Sequence, residues 1–407
     1  MRVAFFFDCL YPHTTGGAEK VYRRFAEAFR DAGHDTTYLT RKQWDGEDKI
    51  DDDGLRVRAL IGSRGLYDVD GVRRPSTAVV FAAAIFFHLL RSRKRYDAVF
   101  VSATPVLNAI AARLALVGTG VLLDVDYMEV WTREQSIEYS GPLVGSIAYL
   151  LQSISIKVTR VASVHSSLMA ARVTGNNFTG SVIRSPGLIP DMPGVTARTT
   201  TDPLQDPYVL FVGRHIQDKR ADSIPPALKI ARERYPRLRG IILGEGPETD
   251  RIRGAVRRAG LEDFISLPGF VSESELADLM RNAACLVNPS RREGYGLVIV
   301  EAAGYGTPSV ITDHPNNAAV ELVDVGVNGF IAPSDSPDAL AAAIISALDG
   351  GESLRAATRE WYDRVVQDRS LDRAAVCLVK EFETRAPSSP AASTSRGPVP
   401  PCARPGR

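Results

Sequence analysis

Residues 285–312 read CLVNPSRREGYGLVIVEAAGYGTPSVIT, and this stretch combines an apolar strand, a glycine-containing loop, a helix and a second strand. We predict strands at residues 285–288 and 308–312, and a helix at residues 297–303 that ends at Gly304. A strand, a helix and a strand in succession are the unit from which parallel sheets are built. The stretch therefore predicts an α/β protein.

The same alternation continues on both sides of this stretch. Further strands are predicted at residues 3–7, 34–39, 98–102, 121–124, 162–165, 208–212, 239–243 and 264–267. A segment rich in Pro, Thr and Asp interrupts the pattern, as is typical of a linker. We therefore expect an α/β domain at residues 1–190, a linker at 191–207, an α/β domain at 208–360, a helix at 361–385 and a disordered Pro/Ser-rich tail at 386–407.

Composition excludes several classes of protein. The 407 residues carry a net charge of +1, with 44% hydrophobic and 24% charged residues, which argues against a strongly basic nucleic-acid-binding protein. The four cysteines form no CxxC pair and the six histidines show no HExxH spacing. We therefore expect a reducing compartment, no disulfide framework and no metal site of those types.

The first residues enter a strand, and Asp8 interrupts their apolar run, so we expect no signal peptide. The most apolar window, residues 77–90, falls short of the ~20 residues that span a bilayer. A basic run at residues 91–95 follows it. Two interpretations stay open: a buried helix of the domain, or contact with an anionic membrane surface. We expect a cytoplasmic protein, and in the second case a peripheral one at the inner face of the cell membrane.

The loop and helix start within the first stretch carry the strongest functional signal. Gly294 and Gly296 permit close approach of the backbone to a ligand, and the free amides of a helix that begins at Leu297 favour an anion. Glu293 in the loop and Glu301 one turn inside the helix flank this end. Because carboxylates accept hydrogen bonds from hydroxyls, the pattern predicts a site for a phosphorylated polyol such as ribose or hexose.

Two cations follow the strand at residues 208–212, namely Arg214 and Lys219. Loops at the carboxyl ends of parallel strands form the ligand crevice of α/β folds. A guanidinium fork and an ammonium together suit a diphosphate. We therefore predict that these two residues bind phosphate groups.

Gly16 and Gly17 lie between the first strand and the first helix, where they allow close approach of phosphate or sugar. The surrounding residues do not form GxGxxG, and no acidic ribose-binding residue follows at the usual spacing, which disfavours a dinucleotide site. Asp124 and Asp126 spell DxD, a pattern that binds metal ions in some enzymes, but they end a predicted strand and we interpret the match as coincidence. His165 is expected to be structural.

Taken together, these residues resemble the retaining family-4 glycosyltransferases of the GT-B fold. The matching segments, in that family's order, are GGAE from Gly16, the Gly-Arg and Lys of residues 213–219, GEGP from Gly244, GFV from Gly269, and the two glutamates of E-x7-E. The resemblance covers residues 1 to about 385. It implies two Rossmann-like domains whose parallel sheets face each other across a cleft, the first binding the acceptor and the second the nucleotide sugar, with a final helix that crosses back to the first domain.

The resemblance also implies roles for individual residues. Arg214 and Lys219 would neutralise the diphosphate in place of a divalent metal, so that neither a metal nor another cofactor is required. Glu293 would bind sugar hydroxyls. These three residues are the candidate catalytic residues.

The remaining implied contacts belong to nucleotide-sugar binding. Glu301 would accept hydrogen bonds from the ribose hydroxyls, and backbone amides near Gly296 and Leu297 would assist. Phe270 and Val271 would contact the base.

The resemblance implies a hexosyltransferase that moves a hexose from a UDP- or GDP-sugar to a saccharide, lipid-linked or small-molecule acceptor with retention of configuration. Two positions depart from the family pattern. Met128 stands where the family segment D-x-H-E-V-W has histidine, and methionine cannot donate a normal hydrogen bond. Arg220 replaces a glycine that often follows the loop lysine. Two alternatives therefore stay open: a catalytically impaired binding or scaffold protein, and a sugar-nucleotide 2-epimerase.

Overall fold

Two sheets, each built mainly from parallel strands, form the framework of the protein in its computed structural model, which describes residues 1–63, 65–66, 74–192 and 207–386. Of these, residues 1–63, 65–66, 74–188 and 369–386 make one compact unit, and residues 189–192 and 207–368 make the other. Residues 193–206 of the expected linker and residues 387–407 of the expected tail lie outside the described residues.

In the described part of the chain, ten of the fourteen strands lie where the sequence predicts a strand. The bounds of the strands are β1 (Arg2–Phe6), β2 (Asp35–Arg41), β3 (Lys49–Asp52), β4 (Leu55–Ile61), β5 (Ala98–Ser102), β6 (Leu122–Asp126), β7 (Val161–Val164), β8 (Ser181–Arg184), β9 (Tyr208–Val212), β10 (Arg239–Leu243), β11 (Ile265–Gly269), β12 (Cys285–Asn288), β13 (Ser309–Thr312) and β14 (Gly329–Ala332). Of these, β3, β4, β8 and β14 were not predicted.

Helices connect most of these strands. Their bounds are α1 (Gly17–Asp31), α2 (Pro75–Ser92), α3 (Leu107–Ala115), α4 (Arg133–Ser140), α5 (Pro142–Val158), α6 (Ser167–Gly175), α7 (Ile224–Arg234), α8 (Thr249–Ala259), α9 (Glu273–Asn282), α10 (Leu297–Gly304), α11 (Pro337–Arg369) and α12 (Leu371–Arg385). Within α11, Gly351 has a positive φ of 48° and kinks the chain.

The sheet of the first unit has the order β3-β4-β2-β1-β5-β6-β7-β8, and only the β3–β4 pair is antiparallel. The inner strands are apolar on both faces because helices cover both sides; every residue of β5, for example, is buried. On one side, α1 packs against α12, where the rings of Phe29 and Phe382 meet edge to face with centroids 5.0 Å apart. On the other side, α2, α3 and α5 share a core with the sheet.

The second unit has a six-stranded, fully parallel sheet with the order β11-β10-β9-β12-β13-β14. Its core joins strand residues such as Val209 and Val287 to helix residues such as Leu228 and Ile344. The carboxyl ends of the central strands β9 and β12 therefore open at one edge of the sheet, where the loops of the candidate site begin.

Two expectations need correction. Residues 361–385 do not form one helix, because α11 continues to Arg369 and Ser370 then starts α12 by accepting a hydrogen bond from Arg373 N at 3.1 Å. The apolar window at residues 77–90 also belongs to a longer helical segment. Among the described residues, Pro75–Arg95 is long and apolar enough to cross a membrane by length and composition alone, with a third of its apolar window buried.

Candidate active site

The loops that follow β9 and β12 lie side by side at the carboxyl edge of the second sheet. Three contacts join them: Arg291 N donates to Asp218 O at 2.8 Å, the Arg292 guanidinium pairs with the Asp218 carboxylate at 2.6 Å, and Lys219 Nζ donates to Glu293 Oε1 at 2.6 Å. The structure thus brings together Lys219 and Glu293, two of the three residues for which the sequence predicts a catalytic role.

Glu293 is a buried and charged residue. Its Oε1 accepts hydrogen bonds from Lys219 Nζ and from Asn288 Nδ2, the latter at 3.0 Å. Burial by itself raises the pKa of Glu293, but the Lys219 ammonium and the hydrogen bonds from Lys219, Asn288 and Ser290 outweigh it and leave the pKa below its usual value. The carboxylate is therefore ionised and rigidly held.

Three buried polar residues that the sequence analysis missed shape this loop. The Ser290 hydroxyl donates to Asn288 Oδ1, and Asn317 Nδ2 donates to the carbonyl oxygens of Ser290 at 3.1 Å and Thr312 at 2.8 Å. All three side chains are at most 4% exposed. The sequence signal that could have identified two of them is Asn288-Pro289-Ser290, where polar residues and a proline directly follow an apolar strand.

The chain turns into α10 at Gly296, whose φ of 103° lies in the left-handed region. A Cβ there would lie 2.8 Å from Ala319 Cβ. Both the left-handed backbone and the lack of space for a side chain therefore require glycine at this position. Leu297 starts the helix, and the partly buried Glu301 lies in its second turn. The first amides of α10 therefore point toward the carboxyl edge, next to the loop that holds Glu293.

Lys219 ends a short 3-10 turn, and Arg220 follows with a positive φ of 51°. The Arg220 guanidinium pairs with the Asp222 and Asp335 carboxylates, each at 3.2 Å. A non-glycine residue thus occupies the left-handed position, and its charge is matched by two acids. Arg220 therefore completes the turn that presents Lys219.

Arg214 is exposed at the end of β9, beside a close approach of two loops. Gly244, with a φ of 111°, lies so close to this segment that a Cβ would be 2.0 Å from Gly213 O. The next residue, His215, is buried, donates its backbone amide to Glu245 O at 3.0 Å, and forms a side-chain hydrogen bond with Thr249 at 2.9 Å. Burial lowers the pKa of His215, so its ring is neutral and has a structural role.

Phe270 and Val271 follow β11 at the same edge of the sheet. The Phe270 side chain is 70% exposed, which is unusual for an aromatic residue, and Val271 is partly buried. An exposed ring at the carboxyl edge offers a flat apolar surface on which a base can stack.

The other predicted residues lie in the first unit. Gly16 and Gly17 form the start of α1, and a Cβ on Gly16 would collide with the Glu19 carboxylate. Asp126, the second residue of the DxD pattern, is fully buried and pairs with the buried His165 through Nε2 at 2.6 Å. In the described part of the chain, no group of three or more His, Cys, Asp or Glu is arranged to hold a metal ion.

Two family models match the chain. The model of glycosyl transferases group 1 matches residues 197–363, and the model of the glycosyl transferase 4-like domain matches residues 16–178. The model of glycosyl transferases group 1 therefore matches the second unit, and the model of the glycosyl transferase 4-like domain matches the first unit.

Individual relatives agree with these matches. The D-inositol 3-phosphate glycosyltransferase of Kineococcus radiotolerans is 31% identical over 209 residues, 42% of this chain and 48% of that protein, so the match spans about half the relative's length. The GDP-mannose-dependent alpha-(1-6)-phosphatidylinositol monomannoside mannosyltransferase of Mycobacterium tuberculosis is 24% identical over 377 residues, 86% of this chain and 91% of the relative.

A solved structure has the same fold. The sucrose-phosphate synthase of Thermosynechococcus elongatus superposes with a TM-score of 0.78 at 19% identity, covering 94% of this chain and 98% of that chain. The likeness concerns the fold, since the identity is low. Family models match both halves of the chain, and the named relatives and the solved structure agree with them. The chain therefore belongs to the family-4 (group 1) glycosyltransferases and has their GT-B fold.

Proposed function

We propose that the protein transfers a hexose from a UDP- or GDP-sugar to a saccharide, lipid-linked or small-molecule acceptor, with retention of anomeric configuration and without a metal ion. The observation that carries this proposal is the 2.6 Å ion pair between Lys219 and Glu293 beside the N-terminus of α10. It joins a cation for phosphate, a carboxylate for hydroxyls and the first amides of a helix at one edge of a parallel sheet.

Each of these groups contacts a different part of the donor. An ammonium has three donors and the bond to Glu293 uses one, so Lys219 can donate to a phosphate oxygen without leaving its partner. Arg214, exposed at the end of β9, supplies the second cation. Glu301 accepts from the ribose hydroxyls, and the base stacks on the exposed Phe270 ring. The GDP-mannose dependence in the name of the mycobacterial relative supports a nucleoside diphosphate sugar.

The chemistry follows from where charge develops. As the C1–O bond of the donor breaks, the sugar gains oxocarbenium character and negative charge grows on the leaving diphosphate. Lys219, Arg214 and the amides of α10 stabilise that charge, and because their positions are set before the reaction they need little reorganisation. The leaving phosphate can then take the proton of the acceptor hydroxyl as that hydroxyl attacks the same face, which retains the configuration.

The acceptor side is proposed to lie in the first unit. A cavity of about 170 Å³ there is lined by residues that include Glu129 and Trp131, and Trp131 Nε1 donates to Glu129 Oε2 at 3.0 Å. An aromatic face beside a carboxylate is a combination that suits a sugar ring. Met128, next to this pair, leaves the hydrogen bond of the family histidine without a donor at that position.

Radiolabelled UDP- and GDP-sugars test the proposal directly. We expect slow hydrolysis or transfer for at least one donor, undiminished by EDTA, and an NMR spectrum of the product that shows the anomeric configuration of the donor. Glu301→Gln should weaken binding of the free nucleotide in calorimetry, because an amide is a poorer acceptor for a ribose diol. Absence of turnover and of nucleotide binding with every donor would contradict the proposal.

A further inference from the structure

One face of the first unit presents apolar side chains to solvent across three neighbouring helices. Helix α2 packs against α3, and α3 packs against α5. Their inner residues, such as Phe81, Ala112 and Ile156, join the core beneath the sheet. We call the outward side of these three helices the apolar layer.

The apolar layer is extensive. Large side chains that are at least 39% exposed occur on all three helices and directly after α3, with Leu143 reaching 74%. They are Val79, Phe87 and Leu90 on α2, Leu114 and Val117 on and after α3, and Leu143, Val144, Ile147, Leu150 and Ile154 on α5. Single exposed apolar residues are normal, but a set of ten on adjacent helices marks an interaction surface.

The charges of these helices are all of one sign. Each helix contains a single Asp, Glu, Lys or Arg residue, and in each it is a basic residue in the last turn: Arg91, Arg113 and Lys157. On the other side of the same sheet, α1 and α12 carry six acids, among them Glu27 and Glu383. The absence of acids is therefore a property of the apolar layer and not of the whole unit.

The three last turns lie at one end of the layer, because helices that connect parallel strands run in the same direction. Further exposed cations lie just after the ends of α2 and α5, namely Arg93, Lys94, Arg95 and Arg160. We call these residues, together with the basic residues of the last turns, the basic rim. The rim borders the layer along the edge where the strands begin.

Two cavities open at the basic rim. One of about 420 Å³ is lined by residues that include Arg58, Arg91 and Arg95, with Phe87 at its wall. Another of about 480 Å³ is lined by residues that include Arg93 and Lys94. Its lining also includes Asp97, which is paired with Arg2 at 2.7 Å. Both cavities are therefore suited to anionic groups such as phosphates.

We propose that the apolar layer and the basic rim dock the protein on an anionic lipid bilayer, with the apolar side chains in the acyl boundary and the basic rim against lipid phosphates. An apolar face bordered by cations is the pattern of helices that lie in a membrane interface. Helix α2 lies on the membrane and does not cross it, because its opposite face, including Phe81, Ile85 and Leu89, belongs to the core of the unit. This inference is independent of the donor chemistry.

Two other occupants fit the charges less well. A second copy of the chain, docked through the same three helices, would bury two faces whose charged residues are all basic, so neither face would supply an acid to match the cations of the other. The C-terminal segment 386–407 contains three arginines and no acid, so it cannot complement the rim either. An anionic bilayer supplies both the apolar depth and the opposite charge.

Vesicle sedimentation of the full-length protein tests the proposal. Vesicles of phosphatidylcholine alone are compared with vesicles that also contain phosphatidylglycerol, at low and high salt. One variant combines Arg93→Glu and Lys94→Glu in the basic rim, and a second combines Ile147→Ser and Leu150→Ser in the apolar layer. The matched control combines Val376→Ser and Lys380→Glu on α12, both of them exposed on the other side of the sheet.

We expect binding to the anionic vesicles only, weakened by salt, and a loss of roughly tenfold or more in both layer and rim variants but not in the control. Circular dichroism of each variant checks that it is folded. Wild-type protein that ignores anionic vesicles, or that binds them equally after both pairs of substitutions, overturns the proposal. So does sedimentation equilibrium showing a dimer that Ile147→Ser and Leu150→Ser dissociate.

Discussion

Lys219 Nζ lies 2.6 Å from Glu293 Oε1, although the two residues are 74 positions apart in the chain. The Glu293 side chain is 10% exposed and that of Lys219 is 24% exposed, so the ammonium is the member of the pair with more access to a ligand. The buried carboxylate orients the ammonium, and the pair joins the loop after β9 to the loop after β12. The same ion pair therefore places a cation and an anion in the site and holds its two loops together.

Replacing Lys219 by alanine should slow the reaction more than it weakens donor binding. The lost cation stabilises charge that grows in the transition state, and one such group is worth about 2–4 kcal/mol, a fall in kcat of roughly 30- to 1,000-fold. The measurement is kcat at saturating donor. Lys229→Ala, an exposed lysine of α7, is the matched control and should leave kcat unchanged. Equal rates for wild type and Lys219→Ala would show that Lys219 does not contact the diphosphate.

Phe270→Ala should weaken nucleotide binding and leave the fold intact. The ring is 70% exposed, so its removal costs little packing, while loss of stacking on a base is worth about 1–3 kcal/mol. Calorimetry with UDP and GDP should show a Kd raised roughly 5- to 150-fold at an unchanged melting temperature. Val325→Ala, 61% exposed in the same unit, serves as control. An unchanged Kd would place the base elsewhere.

Gly296→Ala should destabilise the second unit. The φ of 103° is strained for alanine, and the new Cβ would lie 2.8 Å from Ala319 Cβ, so we expect a loss of about 1–3 kcal/mol in the free energy of unfolding. Thermal melting measures it. Gly254→Ala, inside α8 beside the flexible end of Arg258, is the control and should be neutral or stabilising. If both variants melted alike, the helix start would not need a glycine.

Asp124 should make stability depend on pH. Burial raises the pKa of Asp124 to about 8 from 3.8, so between these pH values the folded protein holds a proton that the unfolded chain has released. The free energy of unfolding therefore falls as pH rises from about 4 to about 8, and then levels off. In the wild-type protein, Ser163 Oγ donates to Asp124 Oδ2 at 2.6 Å. Asp124→Asn keeps an oxygen that can accept this hydrogen bond but cannot ionise. The free energy of unfolding of the variant should therefore fall less over this pH range.

Thermal melting of wild type and Asp124→Asn across that pH range checks this prediction. Asp250→Asn, an exposed residue of α8, is the control and should follow the wild-type curve. Parallel curves for all three proteins would mean that Asp124 does not retain its proton in the folded state.

Much of the architecture was predictable because burial on both faces of a parallel strand leaves an uninterrupted apolar run. Strands β5, β9, β10 and β12 have the bounds that the sequence predicts. Strands β3, β4, β8 and β14 were missed. Three of them are edge strands and β4 lies next to the edge, where partial exposure weakens the apolar signal. The prediction of a single helix at residues 361–385 was wrong because Ser370 caps a new helix. This cap is a local hydrogen bond, which the apolar periodicity of the sequence does not reveal.

The sequence alone determined the family, the two α/β halves and the residue types of the candidate site, because these depend on apolar periodicity and on short motifs whose spacing is local. Only the tertiary structure decided that Lys219 pairs with Glu293, that Asn288, Ser290 and Asn317 hold the loop, and that three helices without acids share one exposed face. Contacts between distant residues arise when strands pair and helices pack, and no local pattern encodes which side chains then meet.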